Sequence, residues 1–201
     1  MKIAILISGR GSNLKAILNA EEKQQLGQAE VILVVSNNSK AKGIEIAKSF
    51  GKKTISLESN NFKTKEAYEK ELEDIIKNHS VDLIVLAGFM RILSPYFIDK
   101  FRNKIINIHP SLLPSFPGLN AQKQALDFGV RISGCTVHFV NEHVDAGPII
   151  LQKAVEIAEN ESEFSLSEKI LKEEHRLLSL SIKMISEDKV KIEQNKVRIV
   201  K

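Results

Sequence analysis

Ile3-Ala4-Ile5-Leu6-Ile7, followed at once by Ser8-Gly9-Arg10-Gly11-Ser12-Asn13, decides how the rest of the chain is read. An uninterrupted apolar run of this length suits a strand covered on both faces, as in a parallel sheet. The glycine-containing segment leads into an amphipathic pattern from about Leu14 to Gln25, which predicts a helix. Gly11, Ser12 and Asn13 then stand at a helix N-terminus, where free backbone N–H groups and the positive end of the helix dipole suit a phosphate. A tight strand-to-helix turn explains the glycines equally well, so the loop alone leaves both readings open.

The same alternation continues downstream. Val31 to Val35 reads as a second buried strand leaving through Ser36-Asn37-Asn38, Ala41 to Phe50 as a helix, and Lys53 to Leu57 as a short strand. Phe62 to Asn78 reads as a charged helix and Val81 to Ala87 as the fourth strand. A short helix from Ser94-Pro95 to about Phe101 precedes a fifth strand, Lys104 to Ile108. Further on come a helix over Ala121 to Phe128, strands over Ile132 to Val140 and Ile149 to Ile157, and a long helix over Glu163 to Ile185. Val197 to Val200 is read as a final edge strand. This order predicts an α/β fold: a Rossmann-like, twisted, mostly parallel sheet with helices on both faces. With no repeat, linker or low-complexity segment, residues 1–201 read as a single domain.

Composition narrows the function classes. Of 201 residues, 43% are hydrophobic and 27% charged, which is ordinary for a globular domain. The formal charge is only +4, and although the tail from Lys183 to Lys201 is basic, there is no Trp and only two Tyr to stack on bases. No nucleic-acid partner is therefore expected. The lone Cys135 excludes an internal disulfide, and no metal is expected because metal-ligand spacings are missing. Neither a signal pattern nor a membrane-length apolar run is present, so no membrane partner and a cytoplasmic location are expected.

The glycine loop lacks G-x-G-x-x-G spacing, and Ser36-Asn37-Asn38 offers no acid for a ribose hydroxyl. There is no GxxxxGK[ST] run either. Nicotinamide dinucleotides and nucleoside triphosphates are set aside, whereas a smaller monophosphate fits. Asn107-Ile108-His109-Pro110-Ser111-Leu112-Leu113-Pro114 places Asn107 and His109 on one face of a strand that the prolines stop abruptly. Open α/β sheets hold their ligands at such strand ends. Asp145, in a small-residue turn, could favour a charged His109 if the two met. Met90-Arg91-Ile92-Leu93 offers apolar side chains and backbone groups to a flat ring, or else packs into the core. His138 and His143 make only a weak metal-like pair without a third ligand.

Taken together, SGRGSNL at 8–14, SNN and AKG at 36–43, AGFMRILS at 87–94, NIHPSLLPSFPG at 107–118 and HVDAGPI at 143–149 resemble the phosphoribosylglycinamide formyltransferase family. The resemblance runs over nearly the whole chain. It implies transfer of a formyl group from 10-formyltetrahydrofolate, the co-substrate, to glycinamide ribonucleotide in purine biosynthesis. It also implies a catalytic trio of Asn107, His109 and Asp145, with Asn107 contacting the formylfolate as well. Gly11, Ser12, Asn13 and Glu174 would bind the phosphate and ribose, and Lys65, Met90, Arg91, Ile92 and Leu93 the formylfolate. The N-terminal half would then serve the ribonucleotide, and the C-terminal half the folate and the chemistry. A monomer or weak homodimer is expected.

Three positions depart from the family pattern. Lys65 stands where arginine is common, Asn120 replaces a frequent histidine, and Leu178-Ser179 replaces a frequent Tyr-Pro pair. The rival readings are a formyltetrahydrofolate deformylase, whose members resemble longer chains with an added N-terminal domain, and a non-catalytic phosphate-binding module. Methionyl-tRNA formyltransferase would be expected to carry a further C-terminal domain.

Overall fold

The computed structural model describes residues 1–200, so Lys201, the last cation of the basic tail, lies outside the described residues. The chain runs β1 (Lys2–Ile7), α1 (Ser12–Glu22), β2 (Glu30–Ser36), α2 (Lys42–Ser49), β3 (Thr54–Ser56), α3 (Lys65–Asn78) and β4 (Leu83–Leu86). It continues α4 (Pro95–Lys100), β5 (Ile105–His109), α5 (Ala121–Phe128), β6 (Ile132–Phe139), β7 (Ile149–Glu156), α6 (Glu163–Ser186), β8 (Val190–Glu193) and β9 (Lys196–Ile199). Seven strands form one sheet in the order β3-β2-β1-β4-β5-β6-β7. The first five in sequence are parallel, and β6 and β7 are antiparallel additions.

The apolar run in β1 explains why the sheet is covered twice. Ile3, Ile5 and Ile7 pack with Leu14, Ile17, Leu18, Ile170, Leu178 and Ile182 on the face of α1 and α6. Ala4 and Leu6 turn the other way, onto Tyr68, Leu72, Phe97 and Ile98 of α3 and α4. Period-two alternation thus feeds two separate cores from one strand. Helix starts follow local chemistry. Thr64 caps α3 by accepting from Ala67 N at 3.2 Å, and Ser94, followed by Pro95, caps α4 by accepting from Phe97 N at 3.3 Å. Ser162 caps α6 by accepting from Ser165 N at 3.1 Å. The first N–H groups of α1, by contrast, have no capping side chain: its N-cap is Gly11 in the left-handed region, φ +75°.

Strand order reverses between β1 and β4, and the carboxyl ends of β1, β4 and β5 emerge side by side there. A doubly wound sheet opens its ligand crevice at that position. Two expectations need correction. Val197–Val200 does not extend the main sheet; β9 instead pairs with β8 in a separate antiparallel hairpin. The helix after the glycine loop begins at Ser12 rather than Leu14, which puts Ser12 and Asn13 inside its first turn. Among the described residues, no helix is long and apolar enough to cross a membrane.

Candidate active site

The cleft at the switch point is lined by the 8–13 loop, Gly88, Met90, Ile108, Pro110, Asn120 and, from α6, Glu174. At one end the uncapped N–H groups of α1 face it. Gly11 can turn there because it lacks a Cβ. Asn13 and Glu174, 161 residues apart, are joined by a hydrogen bond in which Asn13 Nδ2 donates to Glu174 Oε2 at 2.9 Å. Asn13 Oδ1 is buried with no hydrogen-bond partner among the described residues.

Burial pushes the Glu174 carboxyl above the usual carboxylate range, against the opposing effects of the Asn13 amide and the nearby Arg10 charge. A raised acid binds its proton more readily folded than unfolded, so its contribution to stability worsens as pH rises through that window. Glu174→Gln is therefore expected to raise Tm at pH 8, with the gain shrinking as pH falls through the raised folded value and levelling off below the ordinary glutamate value of about 4.3. Tm measured across pH in the free protein checks this, and a Tm at pH 8 equal to wild type would contradict it.

Beside the cleft, Asn107 and His109 alternate along the end of β5 with Ile108 and Pro110, which line it, and the loop after β6 brings Asp145 to His109. His109 Nδ1 lies 3.2 Å from Asp145 Oδ2, and His109 Nε2 lies 2.9 Å from the Phe116 carbonyl. Both ring nitrogens face oxygen acceptors, so only the imidazolium form makes both hydrogen bonds. Asp145 is itself held at φ +52° and accepts from Gly118 N at 2.8 Å. Burial, the strongest single influence, raises its pKa. The His138 ring, the Gly118 N–H and the His109 charge together outweigh burial and hold the carboxyl below its usual range.

His138 is the residue that sequence reasoning set aside. Antiparallel pairing puts it directly across from Asn107, with Nε2 3.3 Å from Asn107 Nδ2 and 3.7 Å from Asp145 Oδ1. Its Nδ1 lies 2.8 Å from the Phe139 carbonyl, and its Nε2 faces both the Asn107 amide and the Asp145 carboxylate. The only signal in the sequence was its shared strand face with Thr136. The turn after His109 is fixed from the same strand. The Thr136 hydroxyl donates to Ser111 O at 2.7 Å and accepts from Leu113 N at 3.1 Å.

The formylfolate candidates divide. Met90 and Ile92 are 70% and 69% exposed, whereas the Leu93 side chain is only 5% exposed and belongs to the α3–α4 core. The burial of its side chain leaves the Leu93 backbone as the group it can offer a ring, one of the two kinds of contact read for it. The Arg91 guanidinium stacks over the Tyr68 ring at 4.8 Å. Lys65 opens α3, with Nζ 3.9 Å from Glu69, whose carboxylate also takes the Ser94 N–H at 2.7 Å. Asn120 lines the cleft and begins α5 in the left-handed region, φ +57°.

An acid-paired histidine beside a polar amide, close to uncapped helix N–H groups, is an arrangement that can move a proton and steady a developing negative charge. The formyl transferase family model matches residues 1–182. Phosphoribosylglycinamide formyltransferase of Escherichia coli K12 is 40% identical over 97% of this chain and 92% of its own length. The chain also matches the trifunctional purine biosynthetic protein adenosine-3 of Gallus gallus, 43% identical over 96% of this chain, but spans only 19% of that protein. Among solved structures, glycinamide ribonucleotide transformylase 1 from Symbiobacterium toebii superposes with a TM-score of 0.97 at 41% identity, covering 100% of this chain and 94% of that one. A formyltetrahydrofolate deformylase from Pseudomonas syringae shares the fold at 27% identity and a TM-score of 0.92, with this chain covering 66% of it. The chain belongs to the formyl transferase family, within its phosphoribosylglycinamide formyltransferase branch.

Proposed function

We propose that the chain transfers the formyl group of 10-formyltetrahydrofolate to the glycine amine of 5'-phosphoribosylglycinamide, giving the N-formyl ribonucleotide and tetrahydrofolate. The observation that carries the reading is the Asp145 carboxylate set against His109, with Asn107 on the same strand, beside a cleft that begins at an uncapped helix N-terminus. Gly11, Ser12 and Asn13 hold the phosphate through backbone N–H groups, and Glu174 accepts from ribose hydroxyls. The backbone of Met90 to Leu93 hydrogen-bonds the pterin-like ring, with Met90 and Ile92 against its faces. Lys65 and Arg91 serve the folate side by leaving Glu69 and Tyr68.

Attack by the amine nitrogen forms the new C–N bond while negative charge grows on the formyl oxygen. Asn107 Nδ2, which has a second N–H beyond the one facing His138, donates to that oxygen. His109 adds a charged donor once its Nε2 turns from the Phe116 carbonyl. The bond from the formyl carbon to the folate nitrogen then breaks. His109 supplies the proton that nitrogen takes up, and the amine's lost proton leaves through solvent near Asp145.

The test is incubation with 10-formyltetrahydrofolate, with and without the ribonucleotide. Ribonucleotide-dependent release of tetrahydrofolate is expected. Release at the same rate without ribonucleotide would assign hydrolysis instead, and no release in either case would leave only a binding module.

A further inference from the structure

The Ser36-Asn37-Asn38 motif has no part in the roles assigned above, yet it is built into the switch point. Ser36 Oγ donates to Asn38 O at 2.8 Å and accepts from Asn38 N at 3.2 Å, which curls the end of β2 back on itself. That curl presents Asn37 to the end of β1, where the Ser8 hydroxyl donates to Asn37 Oδ1 at 2.6 Å. With its proton committed to Asn37, the same hydroxyl oxygen accepts from Met90 N at 2.8 Å. The Ser8 backbone N–H also donates to Gly88 O at 3.1 Å. Ser8 therefore meets the segment leaving β4 through both its backbone and its side chain.

A hydroxyl has one proton and two lone pairs, so its role as acceptor for Met90 is set by where its proton goes. Asn37 sets it. Met90 itself is 70% exposed and has little packing of its own to hold the segment's backbone direction. We propose that Ser8 and Asn37 form a positioning pair that holds the Met90–Leu93 backbone in the orientation needed to hydrogen-bond the formyl donor. The strand that carries the phosphate loop thus also shapes the formyl-donor pocket. This rests on assigning Met90 to Leu93 to formylfolate.

The test is direct binding of 10-formyltetrahydrofolate by calorimetry. Wild type is measured first, because failure of wild type to bind would overturn the assignment of the pocket itself. With wild-type binding established, Ser8→Ala is expected to weaken Kd about threefold to tenfold, the worth of one net hydrogen bond. Ser8→Thr, which keeps the hydroxyl, should restore it. Asn37→Leu should weaken binding and Asn37→Asp, which keeps an acceptor, should not. The Ser8→Ala/Asn37→Leu double variant should be no weaker than Ser8→Ala alone, because the two act through one hydrogen bond. In turnover, the loss should fall on the KM for the formyl donor rather than on that for the ribonucleotide. Wild-type Kd in Ser8→Ala, additive losses in the double variant, or a loss confined to the ribonucleotide KM would each overturn the proposal. If Ser8→Ala does not fold, Asn37→Leu against Asn37→Asp decides the question.

Discussion

His109→Ala is expected to lower kcat/KM by about 10²- to 10⁴-fold, because one side chain supplies both a charged donor to the formyl oxygen and the proton for the leaving nitrogen. The geometry says why alanine cannot be covered for. His109 is buried, and Asp145 and the Phe116 carbonyl already fix both of its nitrogens. His138, the neighbouring imidazole, is not placed to replace it, since its Nδ1 faces the Phe139 carbonyl and its Nε2 faces Asn107 and Asp145. Asp145→Asn keeps the shape and an oxygen for the Gly118 N–H but removes the charge facing His109, so a loss on the order of 10²-fold is expected. Single-turnover rates measured with both substrates saturating check the two variants. Near-normal rates in both would remove this pair from the chemistry.

The same carboxylate gives a pH signature independent of turnover. Its pKa is held below the unfolded value, so its contribution to stability is fully present above the ordinary aspartate value of about 3.9 and is lost as pH falls through the folded value. Urea unfolding should find Asp145→Asn less stable than wild type at neutral pH, with the difference closing in acid.

Much of this arrangement could be read from residues alone, and the misses share a cause. The β1 run and its successors carry strong local patterns, so the sheet's parallel half was legible. Asn107 and His109 were legible as a pair because two residues along a strand return to the same face. His138 was not, because its meeting with Asn107 depends on which strand lies next to β5 and in what register, neither of which is encoded near His138. The first half of the terminal hairpin, β8, was missed for a local reason. Gln194 and Asn195 both take positive φ, 47° and 63°, as a two-residue hairpin turn requires, but the sequence lacks the Asn-Gly or Asp-Gly pair that signals one. The Met90–Leu93 run stayed open between ring contact and core packing because an apolar run leaving a buried strand does not say which side chain turns inward. The Phe116 carbonyl, which holds His109, is a backbone group and leaves no mark in residue type.

Gly11→Ala is expected to damage both the fold and the ribonucleotide site, and the reason lies in the AKG motif. A Cβ on Gly11 would stand 2.6 Å from the Cα of Gly43 and 3.3 Å from its nitrogen, so backbone meets backbone and no side chain can move aside. Gly43 cannot retreat easily. Its N–H donates to Gly9 O at 3.1 Å, and the space beside it is filled by Ile7. Alanine at φ +75° adds roughly 1–2 kcal/mol for left-handed backbone. The overlap adds about 1–3 kcal/mol more. Against the 5–15 kcal/mol typical of a domain, a loss of about 2–5 kcal/mol leaves a folded protein. The strain is relieved by backing the loop away from α2, which shifts the N–H groups of Gly11, Ser12 and Asn13 together. The KM for the ribonucleotide should rise at least tenfold, about 1.4 kcal/mol of lost binding, while the Kd for formylfolate stays near wild type. That is the reverse of the Ser8→Ala pattern. Gly9→Ala is the control: its Cβ would meet nothing within 4 Å, so stability should hold. Urea unfolding and calorimetry with the ribonucleotide read both effects. Wild-type stability and KM in Gly11→Ala would mean that the loop yields without moving its N–H groups, and that the phosphate is held by something else.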